Sequence, residues 1–115
     1  MQLDYSQVAL VGFSQGSMIS LHTMFRLEFS IAGALCYSGL LIKPELLDVK
    51  TKPAVMLVHG VEDQVVPINQ MYIACDALKA ANVDVEAIER PRLAHGIDLV
   101  GINSGGKFLK KILMA

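Results

Sequence analysis

Between Gln7 and Phe25 an apolar, β-branched run passes directly into a helix-period pattern, with only Gly12-Phe13-Ser14-Gln15-Gly16 between them. Few folds accommodate that junction. The run QVALVG at Gln7–Gly12 reads as a strand buried on both faces, and Met18, Leu21, His22 and Phe25 then recur as one stripe of an amphipathic helix. The junction repeats in looser form along the chain. Ile31–Tyr37 is a second buried strand, Ala54–Val58 a third, and Val83–Ile88 a fourth whose alternation with Asp84 and Glu86 places it near an edge. Pro67 opens a helix with Ile68, Met71, Tyr72, Cys75 and Leu78 on one side, and a last helix carries Phe108, Leu109, Ile112 and Leu113 inward.

Strands alternating with helices at this spacing require a parallel sheet with helices on its faces, so the expected fold class is α/β. With 115 residues, 1–115 form one domain. Right-handed crossovers would put the C-terminal strand ends on one rim. Ser14, Asp63 and His95 each follow a strand and are the side chains expected to meet there.

The pentapeptide Gly12-Phe13-Ser14-Gln15-Gly16 fits G-x-S-x-G, which holds a serine on a strained strand-to-helix turn with its hydroxyl exposed. A serine hydroxyl becomes nucleophilic only beside a base, usually an imidazole oriented by a carboxylate. Three histidines are on offer. His22 lies two turns into the first helix and reads as a partly buried helix residue, and His59 ends the third strand, where a structural hydrogen bond is its expected task. His95, in a loop with Gly96 beside it to let the backbone turn, is the best base. Asp63 is the expected acid, with Glu62 its main competitor and a helix cap or turn residue its bland alternative. The order Ser14, Asp63, His95 is that of α/β-hydrolases.

The segments GFSQGS, HGVEDQVVP and AHGID together resemble the signatures of the phospholipase/carboxylesterase family of α/β-hydrolases, which includes bacterial carboxylesterases and acyl-protein thioesterases. The resemblance implies Ser14 as nucleophile, Asp63 as orienting acid, His95 as general base and the backbone N–H of Gln15 as an oxyanion donor. It also implies a truncated α/β-hydrolase: about four mostly parallel strands from the nucleophile strand onward, with helices on both faces, corresponding to the C-terminal half of the family's fold. The loop that gives the family its second oxyanion donor precedes that strand and has no counterpart here.

Several expectations follow. The reaction is cleavage of carboxylic esters or thioesters without metal or cofactor, and short acyl chains suit a pocket with little binding surface. The nucleophile strand becomes an apolar edge. With 53% hydrophobic and 18% charged residues, against about 25% charged in an average domain, a homo-oligomer through that edge or the adjoining helix faces is expected. Two other readings stand beside the enzyme: a non-catalytic oligomeric remnant, and one half of a split hydrolase that needs an N-terminal partner.

A net charge of -1 offers no footprint for nucleic acid or an anionic membrane surface. The uncharged run Phe29–Ile42 falls short of the roughly 20 residues of a spanning helix, and Met1-Gln2-Leu3-Asp4 lacks the pattern of a secretory signal, so a cytoplasmic location is expected. Cys36 and Cys75 have no metal or redox spacing and read as free thiols. Arg90 and Arg92 are read as solvated loop charges that could also steer an anionic group, and Asn103 as a cap before the last helix.

Overall fold

Four strands and three α-helices lie along residues 4–114, the part of the chain that the computed structural model describes, and the connection from the second strand to the third carries only a short 3-10 turn at Pro44–Leu46. The strands are β1 (Ala9–Phe13), β2 (Gly33–Tyr37), β3 (Ala54–Gly60) and β4 (Val85–Arg90). The helices are α1 (Gln15–Met24), α2 (Asn69–Ala80) and α3 (Leu99–Leu113). The sheet is wholly parallel and its spatial order is the chain order, β1-β2-β3-β4. Sequential parallel strands joined by crossovers of one hand must carry their connecting helices on the same face. α1 and α2 accordingly share one face, and α3, which follows the last strand, closes the other.

Two cores result. On the α1/α2 face Leu21, Met24 and Phe25 pack with Ala34, Cys36, Val55 and Leu57 and with Met71, Ala74 and Leu78. On the α3 face Leu35, Tyr37, Met56 and Val58 meet Phe108. β2 is buried at all five positions, as its unbroken apolar run foretold.

β1 departs from the expectation of burial on both faces. Val11 is 57% and Phe13 42% exposed, because α3 packs on β2, β3 and β4 while β1 is covered by α1 alone. The strand is an edge on its outer side and bare on one face. β4 is the other edge, as its polar alternation indicated, although it starts two residues later than the sequence reading placed it.

The α1 stripe also differs by one position. Ser17, Leu21 and Met24 point inward, whereas Met18 and His22 are half-buried. Asn103 is no cap: it lies inside α3, whose first turn is capped by the Asp98 carboxylate accepting from Gly101 N–H. Glycines at 101, 105 and 106 weaken the helical pattern of this stretch, which is why the sequence reading began the helix too late.

Candidate active site

Ser14 sits between the end of β1 and the first turn of α1 with φ 56 and ψ -116, a backbone conformation that disfavours any residue carrying a side chain. The turn is tight enough that a side chain at Gly12 would overlap the backbone of Gly16 and Ser17. Gly16 is different. Nothing lies within 4 Å of where its Cβ would be, so crowding does not require the second glycine of the pentapeptide. The turn is fastened to β2 through one carbonyl: Tyr37 O accepts from Ser14 N–H at 2.9 Å and from the Ser17 hydroxyl at 2.8 Å.

Asp63 is held after β3 by its own loop. Its Oδ1 accepts from the N–H groups of Val65 and Val66, both at 2.8 Å, which leaves Oδ2 to face outward from the turn. The Nδ1–H of His95 donates to that Oδ2 at 2.7 Å. With Nδ1 protonated toward a carboxylate, Nε2 is left as an acceptor, and the Ser14 hydroxyl donates to it at 3.0 Å. Ser14, His95 and Asp63 thus form one chain of hydrogen bonds assembled from three distant segments. Burial pushes the Asp63 carboxyl upward, but the hydrogen bond from His95, the two backbone N–H donors and the nearby imidazole outweigh it and hold the group below its ordinary value.

The loop that carries His95 is anchored at several points. Glu62 N–H donates to Leu93 O at 3.0 Å, and Gly60 lies so close to the carbonyls of Leu93 and Ala94 that a side chain there would overlap them. The loops of Asp63 and His95 are therefore pressed together at the end of β3. The buried Ser38, left-handed at φ 54, donates its hydroxyl to Gly96 O at 3.1 Å. The Arg90 guanidinium meets Asp98 at 2.8 Å, and Phe13 lies tilted against the His95 ring with centroids 5.0 Å apart. Gly96 does not supply a special turn: no described glycine has positive φ, and the left-handed residue of this loop is Arg92.

The remaining candidates fall outside the chain of bonds. His22 is half-buried on α1, and its carbonyl accepts from Arg26 at 2.9 Å. His59, 2% exposed, has Nε2 at 2.7 Å from Val66 O. A carbonyl only accepts, so Nε2 carries the proton, and this structural bond ties the end of β3 to the far side of the Asp63 loop. Glu62 is exposed and has no ion-pair partner among the described residues. Arg90 is engaged by Asp98 and is not free to steer a substrate, while Arg92 is exposed.

Sequence reasoning gave no role to Ser38, Tyr37 or Asp98. Asp98 stands in the AHGID segment, where an acid just before an apolar helix was the available signal. Ser38 and Tyr37 had none, since their contacts join segments far apart in the chain. Cys36 and Cys75 are both free, and burial pushes the Cys36 thiol up to about 12, which makes it inert. Among the described residues no group of His, Cys, Asp and Glu has a metal-binding arrangement, and no helix is long and apolar enough to cross a membrane.

The sequence profile of the phospholipase/carboxylesterase family matches residues 2–113. The chain belongs to that family. Its relatives within the phospholipase/carboxylesterase family include acyl-protein thioesterase 1 of Aspergillus fumigatus, 28% identical over 94% of this chain and 48% of the relative. A homologue of acyl-protein thioesterase 1 in Dictyostelium discoideum is 29% identical over 97% of this chain and 51% of its own length. The crystal structure of esterase PE8 superposes with a TM-score of 0.92 at 34% identity, covering 96% of this chain and 53% of the esterase. The Bacillus cereus carboxylesterase, at 17% identity and a TM-score of 0.82, shares the fold. The four-stranded sheet is thus part of an α/β-hydrolase, and the chain spans about half the length of the relatives it matches.

Proposed function

We propose that this chain carries a serine hydrolase site that cleaves carboxylic esters or thioesters through an acyl-enzyme. The observation that supports it most is the bond sequence from Ser14 through His95 to Asp63 on a strained strand-to-helix turn. Ser14 Oγ attacks the acyl carbonyl while its proton passes to His95 Nε2. Asp63 keeps the imidazole in the accepting tautomer and offsets the positive charge that it gains. The N–H of Gln15, first in α1 and without an acceptor inside the helix, steadies the oxyanion. His95 returns the proton to the leaving atom, and water then releases the acid by the same steps in reverse. Short acyl chains are the substrates we propose. A cytoplasmic setting suits the two free thiols.

Labelling by a fluorophosphonate tests this reading. The wild-type chain is expected to react covalently and Ser14→Ala is not. Equal labelling of both proteins removes the proposal, and absence of labelling in both removes it for the chain by itself, with labelling restored by an added N-terminal half selecting the split-hydrolase reading.

A second feature favours completion of the site by another polypeptide. β1 presents an unpaired edge with Val11 and Phe13 exposed on its bare face, an arrangement that soluble proteins cover. We propose that a second copy of the chain covers it, and that a separately encoded N-terminal half is the competing occupant. One oxyanion donor is typically worth about a hundred- to a thousandfold in rate, so a covering chain that supplies an N–H there would have a catalytic task. Light scattering on a size-resolved sample of wild type and Val11→Lys checks it. A dimer that becomes a monomer supports the second copy, and a wild-type monomer excludes it.

A further inference from the structure

The backbone on either side of His95 is fixed, by Glu62 N–H donating to Leu93 O at 3.0 Å and by the Ser38 hydroxyl donating to Gly96 O at 3.1 Å. Neither bond fixes the imidazole, which can turn about its own side-chain bonds and borders solvent, its side chain being 19% exposed. Asp63 Oδ2 at Nδ1 and the Ser14 hydroxyl at Nε2 hold the edges of the ring. The phenyl ring of Phe13 adds a contact of another kind, tilted by 42° with centroids 5.0 Å apart. Phe13 ends β1 beside Tyr37, on the face of the strand that α3 leaves bare. It belongs to neither hydrophobic core and stays 42% exposed, so the ring adds little to folding where it stands. One residue before the nucleophile, it lies within the roughly 4.5–7 Å over which aromatic rings attract.

Acyl transfer removes one of these restraints at each turnover. When Ser14 Oγ bonds to the acyl carbon, its proton passes to His95 Nε2. The bond from that carbon to the leaving oxygen or sulfur then breaks, the electron pair stays on the leaving atom, and Nε2 gives that atom the proton. In the acyl-enzyme Ser14 Oγ is an ester oxygen without a hydrogen, and neutral Nε2 again carries only a lone pair. Two acceptors make no hydrogen bond. The ring that must next take a proton from water is therefore held by Asp63 at Nδ1 and by Phe13, without Ser14.

We infer that Phe13 is a positioning residue for His95, and that its ring keeps the imidazole in place while Ser14 is acylated. The inference rests on the hydrolase reading for its place in turnover, but the hold of Phe13 on the ring is measurable without turnover. Ser14→Ala protein lacks the serine hydrogen bond, as the acyl-enzyme does, and leaves the imidazole to Asp63 and Phe13. An aromatic contact of this kind is worth roughly two- to tenfold in the ratio of held to displaced rotamer.

Three-bond NMR couplings about the His95 Cα–Cβ bond report whether the ring keeps one rotamer. One rotamer is expected in Ser14→Ala and in Ser14→Ala with Phe13→Tyr, which retains the ring. Ser14→Ala with Phe13→Ala is expected to show averaged couplings, the held rotamer falling by about two- to tenfold against the displaced one. If that protein does not fold by urea unfolding, Phe13→Leu keeps the apolar bulk without the ring and is expected to show the same averaging. Averaged couplings already in Ser14→Ala, or a single rotamer after the ring is removed, overturn the inference. So does an effect of Phe13 that disappears in a Val11→Lys background, since it would then act through a chain that covers β1. Turnover is read separately, with Ser14 in place. During ester hydrolysis Phe13→Ala is expected to carry a larger fraction of acyl-enzyme than the wild-type chain, seen by mass spectrometry of acid-quenched protein, because deacylation slows more than acylation. An equal or smaller fraction overturns the inference. No hydrolysis by either protein counts against the hydrolase reading, and the couplings then decide by themselves whether Phe13 holds the ring.

Discussion

The Tyr37 hydroxyl stands where a side chain at residue 105 would have to be. It donates to Gly101 O at 2.9 Å, and a Cβ built on Gly105 would overlap the same hydroxyl and approach Leu35 Cδ2 to 2.7 Å. Tyr37 therefore joins the nucleophile turn to α3: its carbonyl holds Ser14 and Ser17 on one side of the sheet, and its ring and hydroxyl pin the helix on the other. Gly105→Ala is expected to destabilise the fold by about 1–3 kcal/mol through overpacking. Tyr37→Phe removes the hydroxyl, costs about 1 kcal/mol for the lost hydrogen bond, and makes room for part of the added methyl. The double variant is then less unstable than the two single effects added together, a coupling that urea unfolding of the four proteins measures.

Ser14 is held in a strained backbone conformation at the turn from β1 to α1. Its positive φ costs on the order of 1–3 kcal/mol for a residue with a side chain, and glycine adopts the same conformation freely. Ser14→Gly is expected to raise stability by about 1 kcal/mol while abolishing fluorophosphonate labelling. Ser14→Ala keeps the strain and loses the nucleophile, so its stability should stay near that of wild type. Thermal unfolding of the three proteins separates the cost of the turn from the cost of the hydroxyl. A Ser14→Gly protein less stable than Ser14→Ala would show that the turn is unstrained.

His59 acts on the site through the loop that holds Asp63. Its buried Nε2–H bonds to Val66 O, and the same nitrogen lies 3.4 Å from Asp63 Oδ2. His59→Phe leaves a buried carbonyl without its donor, at a cost of about 1–3 kcal/mol. Asp63 then loses its fixed position relative to His95. The expected result is a lower kcat for ester hydrolysis with KM little changed, because no group of His59 touches substrate. A His59→Gln protein, which can still donate to Val66 O, should recover part of the lost kcat. If both variants lose stability and kcat is untouched, the residue serves the fold alone.

How much of this was legible in the sequence depends on the distance over which each feature is encoded. The strand-to-helix turn at Ser14 and the loop around Asp63 are local patterns, written in adjacent residues, and the structure follows them closely. That the sheet is parallel follows from the spacing of strands and helices. The bare face of β1 was not legible, since it depends on where α3 comes to rest, and QVALVG has the same apolar pattern whether one face is covered or two. Ser38 and Tyr37 were missed for a related reason: their hydroxyls bond to residues of the His95 loop and α3, and nothing in the neighbourhood of either serine or tyrosine marks such a partner. The constraint on Gly60, contact with the carbonyls of Leu93 and Ala94, exists only once β3 and the loop of His95 meet.

Asp63 links the site to the acid stability of the fold. Its folded-state pKa lies below the ordinary value of 3.8, so the ionised form is favoured in the folded chain relative to the unfolded one. The stability this contributes is complete above the unfolded value and is lost as the pH falls through the lower, folded one. Asp63→Asn has no such titration. Its amide still accepts from Val65 and Val66 through oxygen, but the nitrogen it presents to His95 donates, which forces the imidazole to accept at Nδ1 and to carry its proton on Nε2. A protonated Nε2 cannot take the proton of Ser14, and ester hydrolysis is expected to fall by about ten thousandfold at neutral pH. The stability gap between wild type and Asp63→Asn, measured by urea unfolding, should be constant from neutral pH down to about 5 and shrink below 3.8. A gap that stays constant into that acid range would mean that Asp63 is not held as a carboxylate by His95 and its own loop.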